Sequence, residues 1–383
     1  MNPGATLDVA AAVRGDWDVV VVGAGPAGAM AARELARSGV QTLLVDRQSF
    51  PRAKVCGGCL NARTLALLDG AGLGRLARDL GAEPLARFEL WAGGRYAAVP
   101  LPSGASLSRT ALDAALLEEA VTAGASFLPG TRAALGECAG DRRTVHLPEG
   151  GARLAARVVL AADGLAGSFV ARGGRRAEVA PKSLVGAAAE VDGGPEAYRP
   201  GTIYMAAGRG GYVGVVRVER GRLNLAAALS PERVRRRGLA GAVADLLRGA
   251  GLPGVSAAAG RWRGTPPLTR RAATRALERV FLLGDAAGYV EPFTGEGISW
   301  ALESAVVCAP LAVRGVEGWS TALARAWERE HRRRIVRRQR WCRAVAWWLR
   351  HPGLVDLGVR SLNAAPRLAR PLVAHLNAAP EGT

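Results

Sequence analysis

The strongest constraint on this chain is a glycine turn set between a β-branched run and a run of helix formers. Residues 18–22 are short and rich in valine, so they read as a buried parallel strand. Gly23-Ala24-Gly25-Pro26-Ala27-Gly28 follows, and residues 29–38 favour helix up to the stop at Gly39. A second strand at 41–45 ends at Asp46, completing a βαβ unit. The turn fits G-x-G-x-x-G in the context that motif requires. Gly23 permits the tight turn, Gly25 lets the backbone approach a pyrophosphate, and Gly28 allows the helix to pack closely on the strand. The helix start, with Ala27, turns free N–H groups and a positive dipole end toward phosphate. Asp46 is placed to accept from a ribose 2′-OH, which disfavours a 2′-phosphate at this site. A second match, at 249–254, follows a helix rather than a strand and carries Pro253. It reads as a loop.

Length and composition narrow the class. The 383 residues suggest two or three domains with a large core. Hydrophobic residues at 49% and charged residues at 22% exclude a mainly disordered chain, and the 50 glycines have no three-residue period, which excludes collagen. The net charge is +18; Lys54 and Lys182 are the only lysines, so 51 − 2 = 49 of the basic residues are arginine. A GC-rich genome accounts for such a bias. An acidic membrane surface, an acidic partner or nucleic acid are the sharper readings, and no nucleic-acid-binding module accompanies the charge. Five scattered cysteines are not a secreted disulfide framework. No run of about 18 apolar residues and no basic-then-apolar leader is found, so a cytoplasmic protein is expected.

Along the chain, helices are expected at 61–80, 110–123, 231–248 and 297–313, a hairpin at 88–101, and buried strands at 157–161 and 280–283. Short strands at 184–191, 202–206, 212–218 and 222–229 suggest an antiparallel sheet with one face lining a cavity. The expected architecture is α/β with an α+β insert. A discontinuous Rossmann-type dinucleotide domain (17–85, 105–170 and 270–310) carries an antiparallel substrate domain (86–104 and 171–269). A helical basic region follows at 311–383.

Further motifs carry a resemblance. Ala162-Asp163-Gly164 closes one strand, and Gly284-Asp285-Ala286-Ala287-Gly288 closes another, followed by Pro292-Phe293-Thr294-Gly295-Glu296-Gly297-Ile298. With the first fingerprint these resemble flavoproteins of the p-hydroxybenzoate-hydroxylase-like superfamily. Pro51-Arg52-Ala53-Lys54-Val55-Cys56-Gly57-Gly58 and Thr294–Ile298 are similar to its geranylgeranyl reductase branch. The resemblance covers residues 17–310 and implies bound FAD, with NAD(P)H or another reductant as transient electron donor. It implies a cradle of Gly23, Gly25, Ala27, Gly28, Asp46, Arg47, Arg52, Cys56, Gly57, Arg109, Asp163, Gly284, Asp285, Pro292, Gly295, Gly297 and Ile298. Asp163 is also readable as a helix cap, and Arg109 as a surface arginine. The helix from Gly297 could turn its positive end to the flavin, stabilising an anionic reduced form.

The branch also has departures. Its aromatic Tyr-x-Trp-x-Phe-Pro-Lys strand corresponds to Tyr212–Val218, with Gly214 at the Trp position and Arg217-Val218 at the Pro-Lys pair. A glycine there would reshape the substrate pocket. No Trp-x-Trp-x-Ile-Pro halogenase motif is present, and Gly288 stands where many aromatic hydroxylases carry histidine.

Cys56-Gly57-Gly58-Cys59 is a C-x-x-C: Cys56 beside the flavin, a redox disulfide, or structural thiols, with Cys59 as a helix-start residue. No metal site is expected, because the four histidines lie far from this pair. Beyond 318, arginines crowd 325–350, and Ile335, Cys342 and Leu349 recur every seventh residue with Trp341, Trp347 and Trp348 beside them. This is a helix packed on the flavin domain or one touching a membrane surface; short helices at 354–362 and 366–376 follow.

The chain is therefore expected to be an FAD-dependent oxidoreductase acting on a hydrophobic small molecule. The leading expectation is reduction of a carbon–carbon double bond in a lipid- or isoprenoid-like substrate, with Cys56 or Tyr212 as proton donor. The alternative is a monooxygenase of an aromatic or polyketide-like compound. A flavin-bound scaffold or sensor is the non-enzymatic reading.

Overall fold

The computed structural model describes residues 4–171, 177–255 and 260–369, apart from 292 and 294, together with 371 and 374. Its centre is a parallel sheet, ordered Val280–Leu282, Ala152–Ala161, Trp17–Val22, Thr42–Val45, Ser126–Leu128. The C-terminal halves of the interior strands, Val19–Val22, Leu43–Val45 and Val158–Ala161, are apolar and buried on both faces, as expected where helices cover both sides. The register aligns the strand ends: Val22 faces both Val45 and Ala161, and Ala161 faces Leu282. The residues after those ends therefore emerge along one edge, where open α/β sheets bind ligands.

Pro26–Arg37 follows the first strand with Pro26 at its start. It packs against Gly297–Glu317 and Arg109–Thr122. A Cβ on Gly28 would lie 1.7 Å from the Gly23 carbonyl oxygen, so helix and turn meet closer than any side chain permits. Gly23 itself sits at φ +102°, backed by the Ala162 carbonyl. The 249–254 glycines end a helix: Gly251 is the left-handed cap of Pro231–Ala250.

The second sheet has seven strands, ordered Arg263–Pro267, Val185–Val191, Leu223–Leu229, Gly211–Arg217, Thr202–Gly208, Arg87–Ala92, Arg95–Pro100. It was expected to be antiparallel. One junction differs, because Thr202–Gly208 pairs parallel with Arg87–Ala92. The hairpin 88–101 lies early in the chain and joins the later strands from the side. Alternation along Gly211–Arg217 sends Val213 and Val215 toward the helix Pro231–Ala250 and Tyr212 to the opposite face.

Other expectations are corrected. The helix at 61–80 breaks into Ala62–Gly70 and Leu76–Asp79, since Gly72 takes φ +76° between them. The strand at 157–161 begins at Ala152 and pairs with an unforeseen hairpin, Ala134–Ala139 with Arg142–Leu147. Cys59 begins the strand Cys59–Asn61, and the following helix is capped by Asn61. At 366–376, the described structure is a single turn, Pro366–Ala369; 370, 372, 373, 375 and 376 lie outside the described residues. Gly297–Glu317 is long and apolar enough to cross a membrane, unlike the sequence expectation, but 61% of its apolar window is buried inside the protein.

The C-terminal helices Thr321–His331, Arg337–Leu349 and Pro352–Ala364 are integral to the packing. Trp327 is fully buried, and Pro352–Ala364 lies on the outer hairpin of the second sheet. Buried ion pairs fasten them: Arg338 Nε to Glu296 Oε1 at 2.8 Å, and Arg350 Nη2 to Glu291 Oε1 at 2.8 Å.

His331 is buried edge-on against Trp327, and among the described residues neither ring nitrogen has a hydrogen-bond partner. Burial, aided by Arg275, pushes it down to about 3 from the ordinary 6.5. A neutral-only group stabilises the fold fully above the unfolded value and loses that contribution as pH falls from about 6.5 toward 3. Between pH 7 and 5 the loss is about 2 kcal/mol. His331→Phe should remove that part of the pH dependence; equal slopes of urea stability against pH in the two proteins would refute the assignment.

Candidate active site

A cavity of about 850 Å³ runs from the glycine turn into the space under the second sheet. At its polar end lie Gly23, Gly25 and Ala27, with Asp46 and Arg47 from the end of the second strand. Asp163, Gly284 and Asp285 come from the ends of two further strands. Arg52, Cys56, Gly57 and Arg109 form another wall, and Gly295, Gly297 and Ile298 close it at the start of Gly297–Glu317. The fold thus brings together nearly every residue singled out in the sequence. Gly28 stands behind the wall, where it allows the close packing described above. Pro292 lies outside the described residues.

Hydrogen bonds assign local roles. Asp46 Oδ2 accepts from Ala24 N–H at 2.7 Å, and Oδ1 from Gln48 N–H at 2.8 Å. The carboxylate thus ties the glycine turn to the second strand and retains acceptor capacity on each oxygen. Asp163 Oδ2 accepts from Phe169 N–H at 2.8 Å, so it caps the short helix Ser168–Ala171 while facing the cavity. Glu296 precedes Gly297 without capping it through its side chain, and Gly297 and Ile298 line the cavity at this helix start.

The electrostatics are dominated by partly buried cations. Arg109 donates from Nε and Nη2 to the two oxygens of Asp113, at 2.6 and 2.8 Å, and Arg52 Nη1 lies 3.1 Å from the same carboxylate. Burial opposes the Arg109 charge, but Asp113 holds its pKa above the usual value. Lys54 also lines the cavity, and its pKa is lowered by burial and by Arg109 and Arg52. Burial raises Asp285 against the pull of Lys54 and Arg109. Sequence reading passed over Lys54 as a site residue, although it lies in the quoted motif, and missed Asp113. The spacing of Arg109 and Asp113, one helical turn apart, was the available signal.

Cys56 and Cys59 are free thiols. Burial, with Cys56 adding to it, pushes Cys59 up to about 12. Cys56 is held by its backbone, whose carbonyl accepts from Asn224 Nδ2 at 3.0 Å. Tyr212 reaches the cavity from the second sheet, its ring edge-on to Phe293 at 5.2 Å. Burial, then Glu291, raises its pKa. Tyr289 is a further phenol in the cavity, raised by burial and by Asp285 and Cys56. Nothing in a linear motif distinguishes Tyr289; its place depends on a lone bridge to Arg270.

Residues 16–311 match the protein family described as FAD binding domain. The chain belongs to this FAD-binding flavoprotein family. It is 31% identical over 326 residues to menaquinone reductase of Mycobacterium tuberculosis, covering 81% of this chain and 78% of that protein. It is 34% identical over 117 residues to geranylgeranyl diphosphate reductase of Rhodobacter capsulatus, covering 30% of this chain and 28% of that one. Among solved structures, the flavin-dependent brominase Bmp2 superposes with a TM-score of 0.78 at 15% identity, covering 95% and 94% of the two chains. The p-nitrophenol 4-monooxygenase PnpA from Pseudomonas putida superposes with 0.76 at 20% identity, covering 96% and 99%. These two share the fold. The protein is an FAD-dependent oxidoreductase.

The residues fit FAD. A pyrophosphate brings negative charge to the place where Arg47, Arg52, Lys54 and Arg109 crowd and where the helix from Pro26 begins. Asp46 would take the ribose, and Asp285 the ribitol hydroxyls. A Cβ on Gly25 meets only the tips of Arg52 and Arg109, at 3.5 and 3.9 Å, so the space it would fill is ligand space. Gly25→Val should therefore fold yet emerge colourless, whereas Gly28→Val should fail to fold. A yellow Gly25→Val protein with the wild-type flavin content would refute the placement.

Proposed function

We propose that this flavoprotein reduces a carbon–carbon double bond in a lipid- or isoprenoid-like substrate, drawing electrons from NAD(P)H or another reductant. The observation that carries the reading is the continuation of the FAD cavity into an apolar chamber. Phe88, Leu90, Met205, Phe293, Val345 and Trp348 line it. A chamber of this kind favours a hydrophobic substrate and keeps water from the reacting carbons. The relatives named for reducing menaquinone and geranylgeranyl diphosphate support the same direction.

FAD held by the cradle of Gly25, Arg52, Arg109 and Asp285 would, when reduced, supply hydride chemistry at one carbon of the double bond. The chain must deliver a proton to the other, so the product gains two hydrogens. Cys56, Tyr212 and Tyr289 line the cavity as candidate donors. For the two tyrosines, burial makes the phenolate costly, so each hydroxyl keeps its proton until a strongly basic carbon draws it. Tyr289 has Asp285 and Cys56 of the cradle among its electrostatic neighbours, whereas Tyr212 has Glu291, Cys342 and Arg350, so Tyr289 is the phenol we favour. Gly214 also faces the chamber, where a Cβ would meet Met205 Cε at 3.2 Å. The methionine thus occupies part of the space a tryptophan would take.

Two experiments test this. The holoprotein, reduced anaerobically with NADH, NADPH or dithionite in the presence of polyprenyl lipids, should yield a product two hydrogens heavier. A product that gains one oxygen, and only in air, would replace this reading with hydroxylation of an aromatic or polyketide-like compound. Tyr289→Phe should keep the flavin spectrum and KM while kcat falls by about 10²-fold. An unchanged kcat would remove Tyr289 from the proton path.

A further inference from the structure

The large apolar side chains left exposed are not spread over the molecule. Eight are exposed among the described residues, and five lie within 341–368: Trp341, Trp347, Leu354, Leu357 and Leu368. Two of these, Trp341 and Leu368, also line the cavity. Side chains that wall a cavity and face solvent together mark its mouth. The substrate chamber therefore opens through the C-terminal helices.

Helical geometry sorts Arg337–Leu349 into two faces. Gln339, Cys342, Ala346 and Leu349 are buried, and Cys342 lies 3.1 Å from the Glu296 carboxylate. At 100° per residue, Arg337, Arg340, Trp341 and Trp347 fall on the opposite side and Arg343 on the flank beside Gln339, and all five are exposed. Among the described residues Arg337, Arg340 and Arg343 have no carboxylate partner. Partial burial, then Arg340, Arg271 and Arg275 beside it, lower the pKa of Arg343. Unpaired arginines interleaved with exposed tryptophans call for a surface that is anionic above and apolar below. An acidic protein would match the charge but not the apolar rim around an opening.

We propose that the exposed face of Arg337–Leu349, continued by Pro352–Ala364, docks on an anionic lipid bilayer and sets the cavity mouth against it. Arginines would meet phosphate headgroups, and Trp347 and Leu357 would enter the interfacial layer. A lipid-like substrate could then pass between bilayer and chamber without crossing water. That consequence rests on the substrate class proposed above; the docking itself is measured without turnover.

The test uses holoprotein co-sedimentation with vesicles of phosphatidylglycerol and phosphatidylcholine, or phosphatidylcholine alone. Binding is expected to the anionic vesicles and to weaken with salt. The double variant Trp347→Ser/Leu357→Ser, neither residue lining the cavity, should keep its flavin spectrum and bind at least about tenfold more weakly. Arg337→Glu/Arg340→Glu should lose binding by a similar factor. Folded holoprotein that stays in the supernatant, or undiminished binding by both variants, would overturn the proposal. So would a lipid-free dimer that the Trp347→Ser/Leu357→Ser variant dissociates, because a second copy would then cover the face. Anionic binding together with an oxygenated product supports the docking and removes the reduction reading. A product two hydrogens heavier without any vesicle binding does the reverse.

Discussion

The site depends on one close approach, that of Gly28 to the carbonyl of Gly23. Any Cβ at Gly28 would force the helix Pro26–Arg37 away from the first strand. The helix start would then leave the sheet edge, and the N–H groups around Gly25 and Ala27 would no longer face the place where Asp46, Asp163 and Asp285 emerge. Strand register does the rest. Because Val22, Val45, Ala161 and Leu282 align, three acidic side chains separated by more than two hundred residues line one cavity.

Charge is the second constraint. Arg52, Lys54 and Arg109 converge under partial burial, with Asp113 shared between the two arginines. Such a cluster is costly when its charges are neither solvated nor neutralised. An anionic ligand relieves it, so binding of FAD and stability of the fold are linked. Around the start of Gly297–Glu317, carboxylates are the buried partners. Glu291, Glu296 and Glu303 sit just before or within Gly297–Glu317 and hold Arg350, Arg338 and Arg63. Two of those pairs reach into the C-terminal helices. The helices that frame the cavity mouth are thus fastened to the segment that closes the flavin end.

The apolar chamber follows from period-two alternation in the second sheet. Residues such as Val213 and Val215 bury against Pro231–Ala250, while Tyr212 joins the opposite face with Leu90 and Met205. Among the described residues, no helix of its own insert covers that face. Pro352–Ala364 supplies the cover from far along the chain, with Val355 and Val359 packed in the same cluster. One side of the second sheet is therefore core, and the other lines the cavity and is covered in part by Pro352–Ala364.

The sequence by itself determined the βαβ unit and the strand-end acids, and it named most of the residues that line the polar end of the cavity. These features are local: a turn needs glycine where φ is positive, and a helix start needs free N–H groups. It also showed that the tail is amphipathic, through the spacing of Ile335, Cys342 and Leu349, all three now found buried. Only the tertiary structure decided the remainder. Lys54 and Asp113 became parts of one electrostatic cluster because a helix and a loop distant in sequence face each other. Tyr289 entered the cavity through a bridge that no periodic pattern encodes. The parallel junction between Thr202–Gly208 and Arg87–Ala92, and the seating of the C-terminal helices, are non-local pairings. A one-dimensional pattern specifies which face of an element is apolar; it does not specify which other element covers it.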